Sequence, residues 1–317
     1  MSNRNGRLIV FAGNAHPRLA GDIADELGIE IGKAEVGTFA DGETKITIQE
    51  NVRGHDVFIV QPTCSPVNHN LMDLLLMIDA CRRASARRIT AVIPYYGYAR
   101  QDRKTRGREP ISAKLVANLL TTSGAERVLT MDLHAGQIQG FFDIPVDNLV
   151  AVPILAEHLG HLDIKAPVVV SPDLGGVGRA RSLADRLGLG ASIAVIDKRR
   201  PEPNQLEVMS IIGNVEGRDA IIVDDLLDTG GTLVQGARAL MDHGASSVRA
   251  CVTHPLLSGE APTILAGGPL QSLMVTDTIP ISRDVSHLPL KVLSVAPLLA
   301  QAIIRIHEDR SISALFR

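Results

Sequence analysis

The sequence predicts an α/β protein made of two tandem, doubly wound domains with largely parallel sheets. Two observations carry that expectation. Short continuous apolar runs alternate with segments of helical spacing along the whole chain, the pattern of parallel strands covered on both faces by crossover helices. The length of 317 residues is about twice that of a typical domain, so each half can bury its own core.

In the first half, buried strands are expected at 8–12, 57–61, 89–94 and 128–132. In the second half they are expected at 168–171, 193–196, 220–223, 248–252 and 273–276. Helical spacing runs over 18–27, 68–84, 112–122, 179–187 and 232–243, with a last helix at 296–307. Pro66 precedes the second helix, where a missing N–H is harmless. Residues 44–49 alternate polar and apolar, which suits a half-exposed antiparallel or edge strand. No low-complexity linker is visible. The alternation restarts between Asp147 and Pro153, placing a first domain at 1–148 and a second at 149–317, with the last helix free to pack on either.

Composition narrows the function. A net charge of −3, 21% charged residues and no Trp argue for a globular protein and against a base-stacking nucleic-acid reader. Cys64, Cys81 and Cys251 are too few and too scattered for a disulfide framework or a zinc site, so free thiols in a reducing compartment are expected. No apolar stretch reaches the roughly 18 residues of a membrane span, and the run after Arg4 and Arg7 is too short for a signal peptide. A cytoplasmic location follows as an expectation.

The most specific segment is Ile221-Ile-Val-Asp-Asp-Leu-Leu-Asp-Thr-Gly-Gly-Thr232. A strand is expected to end at Asp224 and Asp225, where open α/β sheets hold their ligands. Carboxylates there can accept hydrogen bonds from the vicinal hydroxyls of a ribose. Asp228, Thr229, Gly230, Gly231 and Thr232 then offer backbone N–H groups at a helix start, a phosphate cradle. Its glycines permit close backbone approach. The segment resembles the ribose-phosphate signature of the phosphoribosyltransferase superfamily.

A second loop, Ser171-Pro-Asp-Leu-Gly-Gly-Val-Gly-Arg-Ala-Arg181, repeats the strand–Asp–glycine–helix order. Arg181 stands where a dinucleotide fingerprint needs its third Gly. The loop therefore reads as a diphosphate cradle beside Asp173, an oxygen ligand suited to Mg²⁺. Three further motifs have bland readings when taken singly. Phe39-Ala-Asp-Gly-Glu43 is a turn with Gly42 supplying geometry. The basic run with Arg100, Arg103, Lys104, Arg106 and Arg108 is a solvated loop, an RNA-binding patch or a ligand-facing strand end. Lys198-Arg-Arg200 is a solvated turn.

Together with Asp132-Leu-His134, residues 138–145 and residues 311–316, these motifs resemble the ribose-phosphate diphosphokinase family over essentially the whole chain. The resemblance implies two phosphoribosyltransferase-like domains. It implies transfer of the diphosphoryl group of ATP to the 1-hydroxyl of ribose 5-phosphate, releasing AMP. Adenine would be held by Phe39, Asp41 and Glu43, with Arg100 and Gln101. Mg²⁺ would lie near His134 and Asp173, and its preference for oxygen favours Asp173 as the direct ligand, with His134 acting through water. Ribose 5-phosphate would rest on Asp224, Asp225 and residues 228–232, with Arg200. Lys198 and Arg200 would neutralise the transferring group, on a loop that closes over bound substrates and excludes water.

The resemblance also implies a homo-oligomer, a hexamer in the family, in which the 39–43 loop completes a neighbour's site. ADP and phosphate would act as regulators through Arg53, Ser85, Arg106, Ser311 and Ser313. Ala40, Asn51 and Gly107 depart from the pattern of many relatives, the last two beside those regulatory residues. A true phosphoribosyltransferase would need the ribose loop without the 39–43 and 198–200 motifs. A non-catalytic regulatory relative would carry an insertion near 197–206, and none is visible.

Overall fold

The computed structural model describes residues 6–188, 190–199 and 208–316, and the chain divides into two compact units. The first comprises Met1–Val150, Thr278–Pro280 and Ser294–Arg317; the second comprises Ala151–Asp277 and Ile281–Leu293.

The first unit runs β1 (Leu8–Ala12), α1 (Pro17–Leu27), β2 (Ala34–Thr38), β3 (Thr44–Ile48), β4 (Asp56–Val60), α2 (Val67–Arg83), β5 (Arg88–Ile93), α3 (Ser112–Ser123), β6 (Arg127–Met131), a 3₁₀ turn (Gly136–Phe141) and β7 (Val146–Leu149). Its five-stranded sheet has the order β1-β4-β5-β6-β7, parallel throughout. Every residue of β4 is buried, which explains why its apolar run does not alternate. The segment expected to be half-exposed is β3. It pairs antiparallel with β2 in a separate hairpin, turning Ile46 and Ile48 to the core and leaving Lys45 and Thr47 exposed.

The second unit runs α4 (Val152–Gly160), β8 (Val168–Ser171), α5 (Val177–Leu187), β9 (Ser192–Arg199), β10 (Val208–Ile212), β11 (Asp219–Leu227), α6 (Gly231–Asp242), β12 (Ser247–Pro255), α7 (Ala261–Ala266), β13 (Leu270–Thr276) and β14 (Leu290–Leu293). Its strand order is β10-β9-β8-β11-β12-β13-β14. Only β10 runs antiparallel, against β9. The core between sheet and helices holds Val168, Val170, Ile222, Leu240, Val248 and Val275.

The last helix, α8 (Ala296–His307), clusters with the first unit and packs on α1. The sequence left its partner open. A charged cluster fixes it: Arg88 at the start of β5 pairs with the fully buried Asp56 and donates to Asp309 Oδ1 at 2.6 Å. The Arg88 Nη2 also reaches the carbonyls of Ile306 and His307 at 3.3 and 3.2 Å, near the end of α8. His307 Nδ1 lies 2.9 Å from Asp56 Oδ2. Two basic groups thus serve one buried carboxylate, which could not stay charged alone.

All three cysteines are buried free thiols. Burial pushes Cys64 up to about 11 and both Cys81 and Cys251 up to about 12, so they are unreactive packing groups. Among the described residues no helix is long and apolar enough to cross a membrane.

Candidate functional site

The β11 segment departs from expectation in an informative way. Its strand does not stop at the acidic pair but runs on to Leu227 along β12, where Leu226 and Leu227 pair with His254 and Pro255. On its other side β11 pairs with β8 only over Ala220, Ile221 and Ile222. Asp224 and Asp225 therefore lie beyond the end of β8, on a strand edge released from pairing. The strand end expected at the acids is therefore corrected: their setting is an open flank of a continuing strand.

Into that flank reaches Arg179, from the first turn of α5. Its Nη1 lies 3.4 Å from Asp224 Oδ1 and its Nη2 lies 3.2 Å from Asp225 Oδ1. The Asp225 N–H donates to Asp224 Oδ1 at 2.8 Å. Burial first, and then the neighbouring Asp225 charge, push the Asp224 carboxyl up to about 7, while Arg179 opposes the shift. A half-buried and a buried acid sharing one guanidinium suit a ligand that supplies hydroxyl donors. Sequence reasoning passed over Arg179. The available signal was a cation three residues into the helix that follows the second glycine loop.

The turn after β11 leads into α6. Gly230 precedes that helix with φ 79° and ψ −15°, in the left-handed region that favours glycine. A Cβ there would also approach Leu265 Cγ at 3.1 Å, whereas one on Gly231 would meet nothing within 4 Å. No side chain caps the N-terminus of α6, so its first N–H groups remain available to an anion. Thr229 and Thr232 are exposed beside them, and Asp228 is half-buried.

The second glycine loop is built differently. The exposed Asp173 uses its Oδ1 to accept from the Gly176 N–H at 2.9 Å, and Ser171 Oγ donates to the Asp173 carbonyl at 2.6 Å. Half of the Asp173 carboxylate thus organises the loop, leaving its second oxygen for a ligand. His134 is exposed in the turn after β6 of the first unit. Among the described residues no three His, Cys, Asp or Glu side chains form a metal cluster. The free oxygen of Asp173 is the kind of ligand Mg²⁺ takes, since that ion uses one or two carboxylates and keeps waters or phosphates for the rest.

The 39–43 loop is the tip of the β2–β3 hairpin. The Gly42 N–H donates to the Phe39 carbonyl at 2.9 Å, and the Phe39 N–H donates to the Glu43 carbonyl at 2.7 Å. Asp41 Oδ1 accepts from the Glu43 N–H at 3.1 Å. Gly42 has φ 95°, so the turn geometry read from the sequence is present. Phe39 is 51% exposed, unusual for an aromatic ring.

Arg100 and Gln101 follow β5 and are exposed, with the Gln101 side chain bonded to Ser112. In the basic loop beyond them, Glu109 Oε2 accepts from the N–H groups of Thr105 and Arg106, both at 2.9 Å. Those bonds lower the pKa of Glu109, the Thr105 hydroxyl contributing first.

The backbone of Lys198 lies in β9 opposite Met209, while Arg200 lies outside the described residues. The Arg53 and Ser85 backbones meet: Arg53 bridges Ala86, and the Gly54 N–H donates to the Ser85 carbonyl at 2.9 Å. Asn51 Oδ1 accepts from the Arg53 N–H at 3.1 Å, fixing the same turn. Ser311 and Ser313 touch through their hydroxyls at 2.6 Å, and Arg106 is exposed in the basic loop.

Comparison with known proteins gives one answer. Residues 8–124 match the model for the N-terminal domain of ribose phosphate pyrophosphokinase, and residues 199–317 match the phosphoribosyl synthetase-associated domain. A ribose-phosphate pyrophosphokinase of Caldanaerobacter subterraneus is 56% identical over 317 residues, covering 100% of both chains. The protein of that name from Bacillus subtilis is 55% identical over 318 residues, again covering 100% of both. A crystal structure of phosphoribosylpyrophosphate synthetase from Mycobacterium smegmatis superposes with a TM-score of 0.90 at 46% identity, covering 96% of this chain and 99% of that one.

Proposed function

The chain belongs to the ribose-phosphate pyrophosphokinase family, and on that premise we propose how its own residues carry the reaction. The enzyme transfers the diphosphoryl group of ATP to the 1-hydroxyl of ribose 5-phosphate, giving 5-phosphoribosyl 1-diphosphate and AMP. The observation that carries the site reading is the acidic pair spanned by Arg179, set beside the uncapped start of α6.

Asp224 and Asp225 accept hydrogen bonds from the ribose 2- and 3-hydroxyls. Arg179 lowers the repulsion between the two carboxylates so that both can stay acceptors. The N–H groups at the start of α6, with Thr229 and Thr232, hold the 5-phosphate. That fixes the sugar at both ends and leaves its 1-hydroxyl to attack the β-phosphorus of ATP while AMP departs. Phosphoryl transfer asks the protein mainly for positioning and charge stabilisation.

On the nucleotide side, Phe39 offers its exposed face to adenine, Asp41 and Glu43 read the base edge, and Arg100 and Gln101 complete the pocket. Asp173 would hold Mg²⁺ through a carboxylate oxygen and His134 would act through water; the ion would offset charge on the ATP phosphates. Lys198 and Arg200 neutralise the transferring group. We also propose a cytoplasmic homohexamer, in which the hairpin tip of one subunit serves its neighbour. Phosphate and ADP act through Arg53, Ser85, Arg106, Ser311 and Ser313.

The assay is AMP formation from ATP with and without ribose 5-phosphate. AMP release should depend on the sugar phosphate. Lys198→Ala should lower turnover on the order of 10³-fold or more, by analogy with charge-stabilising cations in phosphoryl transfer. Near-normal turnover in that variant removes Lys198 from the mechanism.

A further inference from the structure

The β2–β3 hairpin carries the nucleotide loop away from the main sheet, so something must set the angle at which it projects. Most of its contact with the unit is apolar, through Val36, Ile46 and Ile48 packed against the core. Apolar packing tolerates sliding, because it has no preferred direction.

Two polar contacts interrupt it: Asn14 Nδ2 donates to the Val36 carbonyl of β2 at 3.0 Å, and a second lies at the end nearest the loop. Thr44 is the first residue of β3 and directly follows Glu43, whose carbonyl closes the loop. Its Oγ1 donates to Asp73 Oδ1 on α2 at 2.7 Å. Asp73 is fully buried in the middle of that helix. Its Oδ2 has no hydrogen-bond partner, and the imidazole of His69, one turn earlier, lies 3.6 Å away.

A buried carboxylate with so few partners is an expensive way to hold a strand. A Val–Leu contact would hold the same strand without desolvating a charge. What the bond adds is direction: a short, charge-assisted hydrogen bond fixes one atom of the hairpin base to one atom of a rigid helix.

We infer that Thr44 and Asp73 form a pin that positions the 39–43 loop for ATP, a role distinct from folding the hairpin. They are positioning residues and touch no substrate. The inference rests on the reading that this loop holds adenine. Fixing the base of the hairpin limits the arc its tip can sweep, and a displacement of about 1 Å at a binding group can cost up to about 100-fold. The pin therefore acts on ATP and leaves ribose 5-phosphate alone.

The test uses the full-length enzyme with Thr44→Val, Thr44→Ser and Phe39→Ala, measuring KM for each substrate, kcat and Tm. Thr44→Val keeps the shape and removes the donor. It should raise the KM for ATP about tenfold, leave the KM for ribose 5-phosphate unchanged and change kcat little. Thr44→Ser, which retains the hydroxyl, should restore the ATP KM.

Three results overturn the pin: an unchanged ATP KM in Thr44→Val, equal loss for both substrates accompanied by a lower Tm, or no rescue by Ser. Phe39→Ala separates that failure from failure of the loop reading. If Phe39→Ala raises the ATP KM while Thr44→Val does not, the loop binds ATP and the pin is wrong. If Phe39→Ala leaves the ATP KM unchanged, the adenine assignment itself falls, and the pin with it.

Discussion

Two loops of the second unit look alike in sequence, each leading from a strand through an Asp and paired glycines into a helix. They are held by different physics. In the β8–α5 loop the Asp is partly spent on structure, since Asp173 Oδ1 caps the Gly176 N–H. Gly176 is required for space: a Cβ there would lie 2.7 Å from Ser171 Oγ. In the β11–α6 loop the acids face each other and Arg179. Gly230 is required for conformation, with φ 79°, and the neighbouring Gly231 has nothing around its Cβ position. A loop that spends its polar groups on itself is a scaffold with one ligand oxygen left over. A loop that leaves them strained is a binding surface.

The largest effect that would sharpen this contrast is expected at Asp224. Asp224→Asn removes a charged acceptor, worth roughly 1.5–3 kcal/mol, so the KM for ribose 5-phosphate should rise about tenfold to a hundredfold while that for ATP hardly moves. Stability should change in the opposite sense. In the folded chain the Asp224 carboxyl is pushed up to about 7 by burial and by Asp225, whereas in the unfolded chain it titrates at roughly 3.9. Between those values the folded state binds more protons, so this group erodes stability as pH rises from about 4 to about 7. Above pH 7 the Asn variant should therefore melt at a higher temperature than the parent, and the gain should vanish near pH 4. Equal loss of both substrates, or a Tm that falls above pH 7, would mean that the acids belong to the scaffold.

Gly176→Ala tests the other loop. Overpacking of this kind costs about 1–3 kcal/mol, and thermal or denaturant melting should show it. Adding Ser171→Ala removes the opposing oxygen and should recover part of the loss; a double variant no better than the sum of the singles would break the steric account. The smallest effect is expected at Gly231. Gly231→Ala should leave stability within about 1 kcal/mol yet weaken ribose 5-phosphate about fivefold, because its new methyl can only meet a ligand approaching the helix start. Unaltered binding would move the phosphate elsewhere.

The fold was readable wherever burial on both faces wrote an unbroken apolar run, as in β1 at Leu8–Ala12 and β8 at Val168–Ser171. It was unreadable where tertiary context decided. β2 contains Glu35 and Gly37, and becomes a strand only because β3 pairs with it. α4 starts at the end of the 147–153 stretch where a domain boundary was expected, and no helix was expected over its length. β11 continues past Asp225 because β12 extends its ladder to Pro255, which no local pattern reports. The site was legible to the extent that it is contiguous. The acids, glycines and threonines of 224–232 were evident, whereas Arg179 and Asp73 act across 45 and 29 residues of sequence separation, and only folding reveals them.

The return of α8 to the first unit has a consequence for how the molecule is made. Val150 ends the main body of that unit, yet the helix that packs on α1 is not synthesised until all of Ala151–Leu293 has been translated. At about 5–20 residues per second the delay is on the order of ten to thirty seconds. Throughout it, the outer face of α1 and the buried Asp56 lack their C-terminal partners, His307 among them. A chain that stops before Ala296 therefore carries every strand of its first sheet but lacks the helix that covers α1.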